Sequence, residues 1–326
     1  LDYREMAPSG ADRDMFLDAK GDVDNEQARF SIKSSGVPGT VAGLLHAHKN
    51  YGVLSFSDVI DPAIRLAADG FKVSVDLSSS LASRAVRLAK NDASKDYFYK
   101  QKGALYQPGE IFQQADLAST LRRIRDQGRA GFYQGKTADL IMAEMQRSDG
   151  LITRQDLQNY KVVLREPVCG DYRDNKVCAM PPPSSGGVHL VQMLNMLEGY
   201  DLATLGHNSA AYVHRLVEVM RRAYADRSAY LGDPDYYAVP VAKIIDKDYA
   251  NLLRKDIDLT KATASKAVTP GLDIDVESLS KGQAAAEKES VETTHFSTWD
   301  QWGNVVSSTT TLNFSYGSGI SVAGAG

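Results

Sequence analysis

Thr293, Thr311 and Asn313 are residues whose types and spacing could do chemistry together. They fall in two runs rich in β-branched residues, 293–299 and 305–313, separated by the turn-like Asp300-Gln301-Trp302-Gly303-Asn304, a pattern that reads as a hairpin. If its loop is centred on Trp302, Thr293 faces Thr311. Opposed side chains in such a ladder have Cβ atoms about 4.5–5.5 Å apart, close enough for one hydroxyl to bond the other. Strand alternation then puts Asn313 on the same face, pointing into the same space. A hydroxyl beside a hydroxyl and an amide is a poor nucleophile without a base, and the hairpin supplies none. Cleavage between Glu292 and Thr293 would make one: the new α-amine, with a pKa of about 7.7–8.0, would sit beside the Thr293 hydroxyl, the pairing used in threonine nucleophiles. His295 shares the Thr293 face, but no acid is evident to orient it as in a triad, so it reads as a strand histidine. Thr is also a common strand residue, so the pair taken alone is first an ordinary feature of a sheet.

These residues need a frame, and most of it reads as helix. Residues 41–48 run into a stop at Gly52. Val59, Ala63, Ile64, Ala67 and Ala68 recur at helical spacing before Gly70, and residues 114–127 and 136–147 place apolar residues three and four apart with charges opposite. A long amphipathic helix is expected over 209–230, with Val213, Leu216, Val217, Met220 and Tyr224 inward and Arg215, Glu218, Arg221 and Arg222 largely outward. Asp226-Arg227 beyond them reads as a helix-end ion pair. Pro181-Pro182-Pro183 blocks helix and central strand alike, after which Ser184 or Ser185 can cap a helix that stops at Gly199. The main-chain N–H groups at that helix start could instead cradle an anion. Residues 256–289 lose large apolar side chains and read as a solvated, mobile stretch leading to Thr293. Helices followed by a late hairpin indicate a mixed helix and strand fold.

Composition narrows the function classes. Thirty-seven basic and 41 acidic residues give a formal charge of -4 without a strongly basic block, so the electrostatic footprint of a nucleic-acid binder is missing. No apolar run approaches the roughly 20 residues that span a bilayer. His46 and His48, two apart on a helix, face different ways and imply no metal site. The two cysteines, Cys169 and Cys178, are too few for a disulfide scaffold. They flank a strand–turn–strand pattern with Asp174-Asn175 near its tip, which would set them opposite each other. A disulfide and a pair of reduced thiols both fit that arrangement.

Glu292-Thr293-Thr294-His295-Phe296-Ser297, with Gly303-Asn304 and Thr309-Thr310-Thr311-Leu312-Asn313, resembles the processing site and first small-subunit strands of the γ-glutamyltranspeptidases, a family of N-terminal-nucleophile hydrolases. The resemblance extends to Arg4-Glu5-Met6-Ala7-Pro8, residues 36–43, Asp149-Gly150-Leu151-Ile152-Thr153, Pro181-Pro182-Pro183-Ser184-Ser185-Gly186-Gly187 and Tyr224-Ala225-Asp226-Arg227 with Leu231-Gly232-Asp233-Pro234, in family order along nearly the whole chain.

This resemblance implies an α+β fold, the four-layer αββα sandwich of these hydrolases, incomplete in this fragment. It makes 1–292 the large-subunit region, with its N-terminal part missing, and 293–326 the start of the small subunit. Self-cleavage between Glu292 and Thr293 leaves Thr293 as nucleophile, with Thr311 bonding its hydroxyl. Asn313 would contact the amino-acid end of a γ-glutamyl group and Arg4 its α-carboxylate, a task suited to a planar fork of donors. The implied donors are glutathione and other γ-glutamyl compounds, the acceptors water, amino acids or dipeptides, and the two subunits associate after cleavage. No metal or organic cofactor is implied. The implied location is periplasmic or secreted, where disulfides persist. The family's Ser-Ser pair, its acidic residues for the substrate amine and its Gly-Gly oxyanion hole are expected beyond Gly326, and Ser184-Ser185-Gly186-Gly187 belongs to a different motif. The alternatives are a related acylase acting on a glutaryl β-lactam amide, and an uncleaved homologue without catalysis.

Overall fold

A computed structural model describes residues 1–272 and 293–326. The chain folds as two units, Leu1–Leu164 with Glu289–Gly326, and Arg165–Lys288.

In the first unit the helical periodicity produces α1 (Asn25–Phe30), α2 (Thr40–Tyr51), α3 (Phe56–Asp69), α4 (Val75–Ser83), α5 (Ala85–Leu88), α6 (Asp92–Phe98), α7 (Ala115–Gln127), α8 (Ala130–Tyr133), α9 (Gly135–Ser148) and α10 (Arg154–Asn159). Gly52 and Gly70 follow α2 and α3 as their C-caps. The strands are short: β1 (Phe71–Lys72) pairs antiparallel with β2 (Ile111–Phe112). Tyr133 and Tyr160 stack within a core that includes Ile32, Val37, Ala138, Ile141 and Leu157. Because a buried phenol needs a partner, the Tyr133 hydroxyl donates to the Pro38 carbonyl at 2.7 Å and the Tyr160 hydroxyl to the Arg4 carbonyl at 2.8 Å.

Two glycines of the 36–43 motif let the start of the chain lie against α2. A Cβ at Gly39 would sit 2.0 Å from the Tyr160 hydroxyl, and one at Gly43 would meet the Tyr3 ring at 2.2 Å. Ladder bonds from Asp2 to Val163 and from Met6 to Val37 fix the segment on either side of Arg4.

The second unit holds α11 (Gly186–Leu197), α12 (Ala210–Tyr230), α13 (Val241–Ile244) and α14 (Lys247–Lys255) with the hairpin β3 (Val168–Tyr172) and β4 (Asn175–Ala179). Its turn is Arg173-Asp174, one residue earlier than expected, with Arg173 in the left-handed region at φ 52°. Cys169 and Cys178 are register partners and form a disulfide.

The orientation of α12 departs from the expectation from its apolar spacing at six of the nine positions, while Leu216, Arg215 and Arg221 are partly buried. Val213, Val217, Met220 and Tyr224 are exposed, while Glu218, Arg222 and Asp226 are buried beside Val219 and Ala223. The irregular chain at 256–272 supplies the reason, since its main-chain groups need partners. Glu218 accepts from the Thr263 N–H at 2.9 Å, Asp226 from the Gly271 N–H at 3.0 Å, and Arg222 donates to the Asp256 carbonyl at 2.7 Å. Asp226 is therefore a buried acceptor rather than half of a helix-end ion pair. It also receives the Tyr249 hydroxyl, and burial raises its carboxyl above the usual range. Of the stretch expected to be mobile, residues 256–272 are thus anchored; 273–289 and Glu292 lie outside the described residues. Ser185 is the N-cap residue of α11 but makes no side-chain cap bond, while the Ser184 hydroxyl just before it accepts from the Gly186 N–H at 3.3 Å. Beyond α11, Gly199 leaves room for the Arg254 guanidinium, which a Cβ would meet at 1.8 Å.

Candidate active site

β5 (Thr293–Trp299) and β6 (Val305–Thr311) pair antiparallel in the register centred on Trp302, so Thr293 faces Thr311, His295 faces Thr309 and Ser297 faces Ser307. The loop is stabilised by Asp300, whose carboxylate accepts from the main-chain N–H groups of Trp302 and Asn304, both at 2.9 Å, while Gly303 takes φ 86°. The side-chain amide of Asn304 holds the Asp300 carboxyl below the usual range.

The Thr293 hydroxyl donates to the Thr311 hydroxyl across 3.2 Å. The same Thr311 oxygen accepts the main-chain N–H of Asn313 at 2.9 Å. Asn313 arrives there by a route that strand alternation does not describe, because β6 ends at Thr311 and Asn313 lies in the left-handed region at φ 69°. All three residues are exposed. His295 is satisfied by hydroxyls, Nδ1 with Thr309 at 2.7 Å and Nε2 with Ser307 at 3.1 Å. It has the partners of a strand histidine, not of a triad member.

Arg4 is held on an adjoining segment. Its side chain is half exposed and its Nε lies 3.8 Å from the Glu5 carboxylate; its main-chain N–H donates to Asp2 at 3.0 Å. The preceding residue makes the link to the hairpin: the Tyr3 and Ser308 hydroxyls are 3.2 Å apart. The structure thus brings Thr293, Thr311 and Asn313 together and ties the Arg4 segment to β6, while Glu292 lies outside the described residues. Sequence reasoning missed Tyr3 and Tyr160, whose roles depend on contacts across the fold; the closely spaced Gly36, Gly39 and Gly43 were the available signal that another segment approaches. Among the described residues no group of three or more His, Cys, Asp or Glu side chains could hold a metal ion, and no helix is long and apolar enough to cross a membrane.

The family model described as "Gamma-glutamyltranspeptidase" matches residues 1–326. The chain is 42% identical to the glutathione hydrolase proenzyme of Escherichia coli, over 99% of this chain and 54% of that protein. It is 37% identical to the acylase ACY 1 proenzyme of a Pseudomonas species, over 100% of this chain and 56% of that protein. The chain therefore spans about half the length of these curated relatives. Among solved structures, Helicobacter pylori γ-glutamyltranspeptidase superposes with a TM-score of 0.81 at 43% identity, covering 87% of this chain and 80% of that one.

Proposed function

The chain belongs to the γ-glutamyltranspeptidase family, and from that premise we propose that it supplies the nucleophile and part of the donor site for γ-glutamyl transfer and hydrolysis. The observation that carries this reading is the Thr311 hydroxyl, which accepts from both the Thr293 hydroxyl and the Asn313 main chain. Self-cleavage begins when the Thr293 oxygen attacks the Glu292 carbonyl. An N-to-O acyl shift followed by hydrolysis breaks the bond and frees the Thr293 amine, leaving 1–292 as the large-subunit part and 293–326 as the start of the small subunit, which stay associated.

In turnover the Thr293 oxygen attacks the γ-amide carbon of glutathione or another γ-glutamyl compound. The Thr293 amine takes the hydroxyl proton and passes it to the departing nitrogen, so an amine leaves and a γ-glutamyl ester of Thr293 remains. Water, an amino acid or a dipeptide then attacks the ester, its proton returning through the same amine to the threonine oxygen. The Arg4 fork receives the donor's α-carboxylate, and the Asn313 side chain meets its amino-acid end. No step calls on a metal or organic cofactor. The site belongs to the four-layer αββα sandwich of the N-terminal-nucleophile hydrolases and works in the periplasm or outside the cell, where the Cys169–Cys178 bridge would persist.

The test uses Thr293→Ala and Thr293→Ser in the protein expressed from its complete reading frame. The alanine variant should remain one uncut, inactive chain by intact mass, and the serine variant should cut slowly. Two subunits from the alanine variant, broken before residue 293, would remove Thr293 from its role. A glutaryl donor preferred to a γ-glutamyl one would favour the acylase reading.

A further inference from the structure

The loop after β6 turns repeatedly through positive backbone angles, φ 69° at Asn313, 60° at Tyr316, 54° at Gly317 and 81° at Gly319. Around Asn313 the Phe314 N–H donates to the Leu312 carbonyl at 2.9 Å. That bond, with a positive φ at the central residue, makes a γ-turn of the rare and strained hand. Strained backbone persists only where the surroundings over-determine it.

The surroundings here come from the helices of the first unit. Phe314 packs on Phe30, with ring centroids 5.3 Å apart, and Tyr316 packs edge-on to Phe98 at 5.3 Å. Arg87 is the residue that reaches the main chain beside the turn. Its guanidinium lies 4.6 Å over the Phe30 ring and donates through Nη2 to the Ser315 carbonyl. The stem is enclosed as well, for a Cβ at Gly319 would stand 3.2 Å from the Arg87 Cγ. Arg87 therefore bonds the main chain at 315 and lies beside 319 while its guanidinium sits over the aromatic ring that also supports Phe314.

We propose that Arg87 is a positioning residue for donor binding: it clamps the loop and so holds Asn313 in the strained turn that presents its side chain to the donor. The inference rests on the reading of Asn313 given above. Arg is suited to the clamp because a planar guanidinium can stack on a ring and donate in its own plane at once, whereas a lysine ammonium cannot do both.

The experiment is a double-mutant cycle in the protein expressed from its complete reading frame, with γ-glutamyl-p-nitroanilide as donor. Arg87→Met, Arg87→Lys, Asn313→Ala and the Arg87→Met/Asn313→Ala pair are compared for self-cleavage, melting temperature, kcat and KM. Releasing a strained turn of this kind should lower the population of the competent loop by about 5- to 150-fold and raise KM by the same factor, with kcat changing less. Arg87→Lys should recover only part of the loss, and both single Arg87 variants should still self-cleave. In the Asn313→Ala background, adding Arg87→Met should change KM by no more than about twofold, because the group being positioned is gone. An unchanged KM in Arg87→Met, or an equal rise in both backgrounds, would overturn the clamp while leaving the donor reading intact. A wild-type protein that is cleaved yet ignores the donor would sink the donor reading and the clamp with it. Should Arg87→Met fail to fold, Phe30→Leu enters the same cycle with the same expected coupling to Asn313, and additivity there would equally refute the clamp.

Discussion

Replacing Thr311 by valine keeps the branched shape and removes only the oxygen on which the proposed site converges. In the structure that oxygen accepts the Thr293 hydroxyl at 3.2 Å and the Asn313 N–H at 2.9 Å. A neutral hydrogen bond contributes a net of about 0.5–1.5 kcal/mol, so losing two corresponds to roughly 1–3 kcal/mol. If both bonds orient the nucleophile and donor in the transition state, kcat/KM should fall by about 5- to 150-fold. Folding should feel less of the change, because Thr311 and Asn313 are exposed and water can satisfy the freed N–H. The assay is steady-state hydrolysis of a γ-glutamyl anilide, alongside intact mass for self-cleavage and a thermal melt. Thr311→Ser, which restores the oxygen but not the methyl group, should recover most of the activity. Wild-type kinetics and processing in Thr311→Val would refute the assignment. So would a serine variant as impaired as the valine one, since packing of the methyl group would then be what matters.

Arg4→Ala should leave self-cleavage intact and lower kcat/KM for glutathione by about 10- to 150-fold, the range for losing a hydrogen bond to a charged group; near-normal kinetics in the cleaved variant would mean that Arg4 does not hold the donor carboxylate. Glu218 predicts an acid limb of stability. Burial alone would raise its carboxyl, but Thr263, Arg222 and Arg221 bond the charged form and hold it near about 2, below an unfolded value of about 4.3. Its contribution is therefore fully present above about pH 4.3 and is lost as pH falls towards about 2. Denaturant midpoints at pH 5 and pH 3 should differ less in Glu218→Gln than in the wild type, and identical differences would refute the assignment. Thiol titration of the denatured, non-reduced protein should find no free thiol from Cys169 and Cys178; two free thiols would show that the bridge does not form.

The sequence alone determined the parts whose bonding is local. Alternation and a turn-rich centre specify the β5–β6 register, so Thr293 and Thr311 could be paired from pattern alone, and helical spacing with Gly52 and Gly70 marked α2 and α3. Motifs carried the family. The tertiary structure decided what depends on distant partners. Pattern put Glu218 and Arg222 of α12 outward, but main-chain groups at Asp256 and Thr263 need partners, so both turn inward, while Val213, Val217, Met220 and Tyr224 face out. Alternation placed Asn313 on β6, yet the strand stops at Thr311 and Asn313 reaches the Thr311 hydroxyl through a left-handed turn. That turn is braced by Phe30 and Arg87, far away in sequence, and Arg4 is positioned by Tyr160 and by room at Gly39. A period-two or period-3.6 pattern records only which face of an element is apolar; it carries no information about which remote donor or acceptor an irregular segment will need.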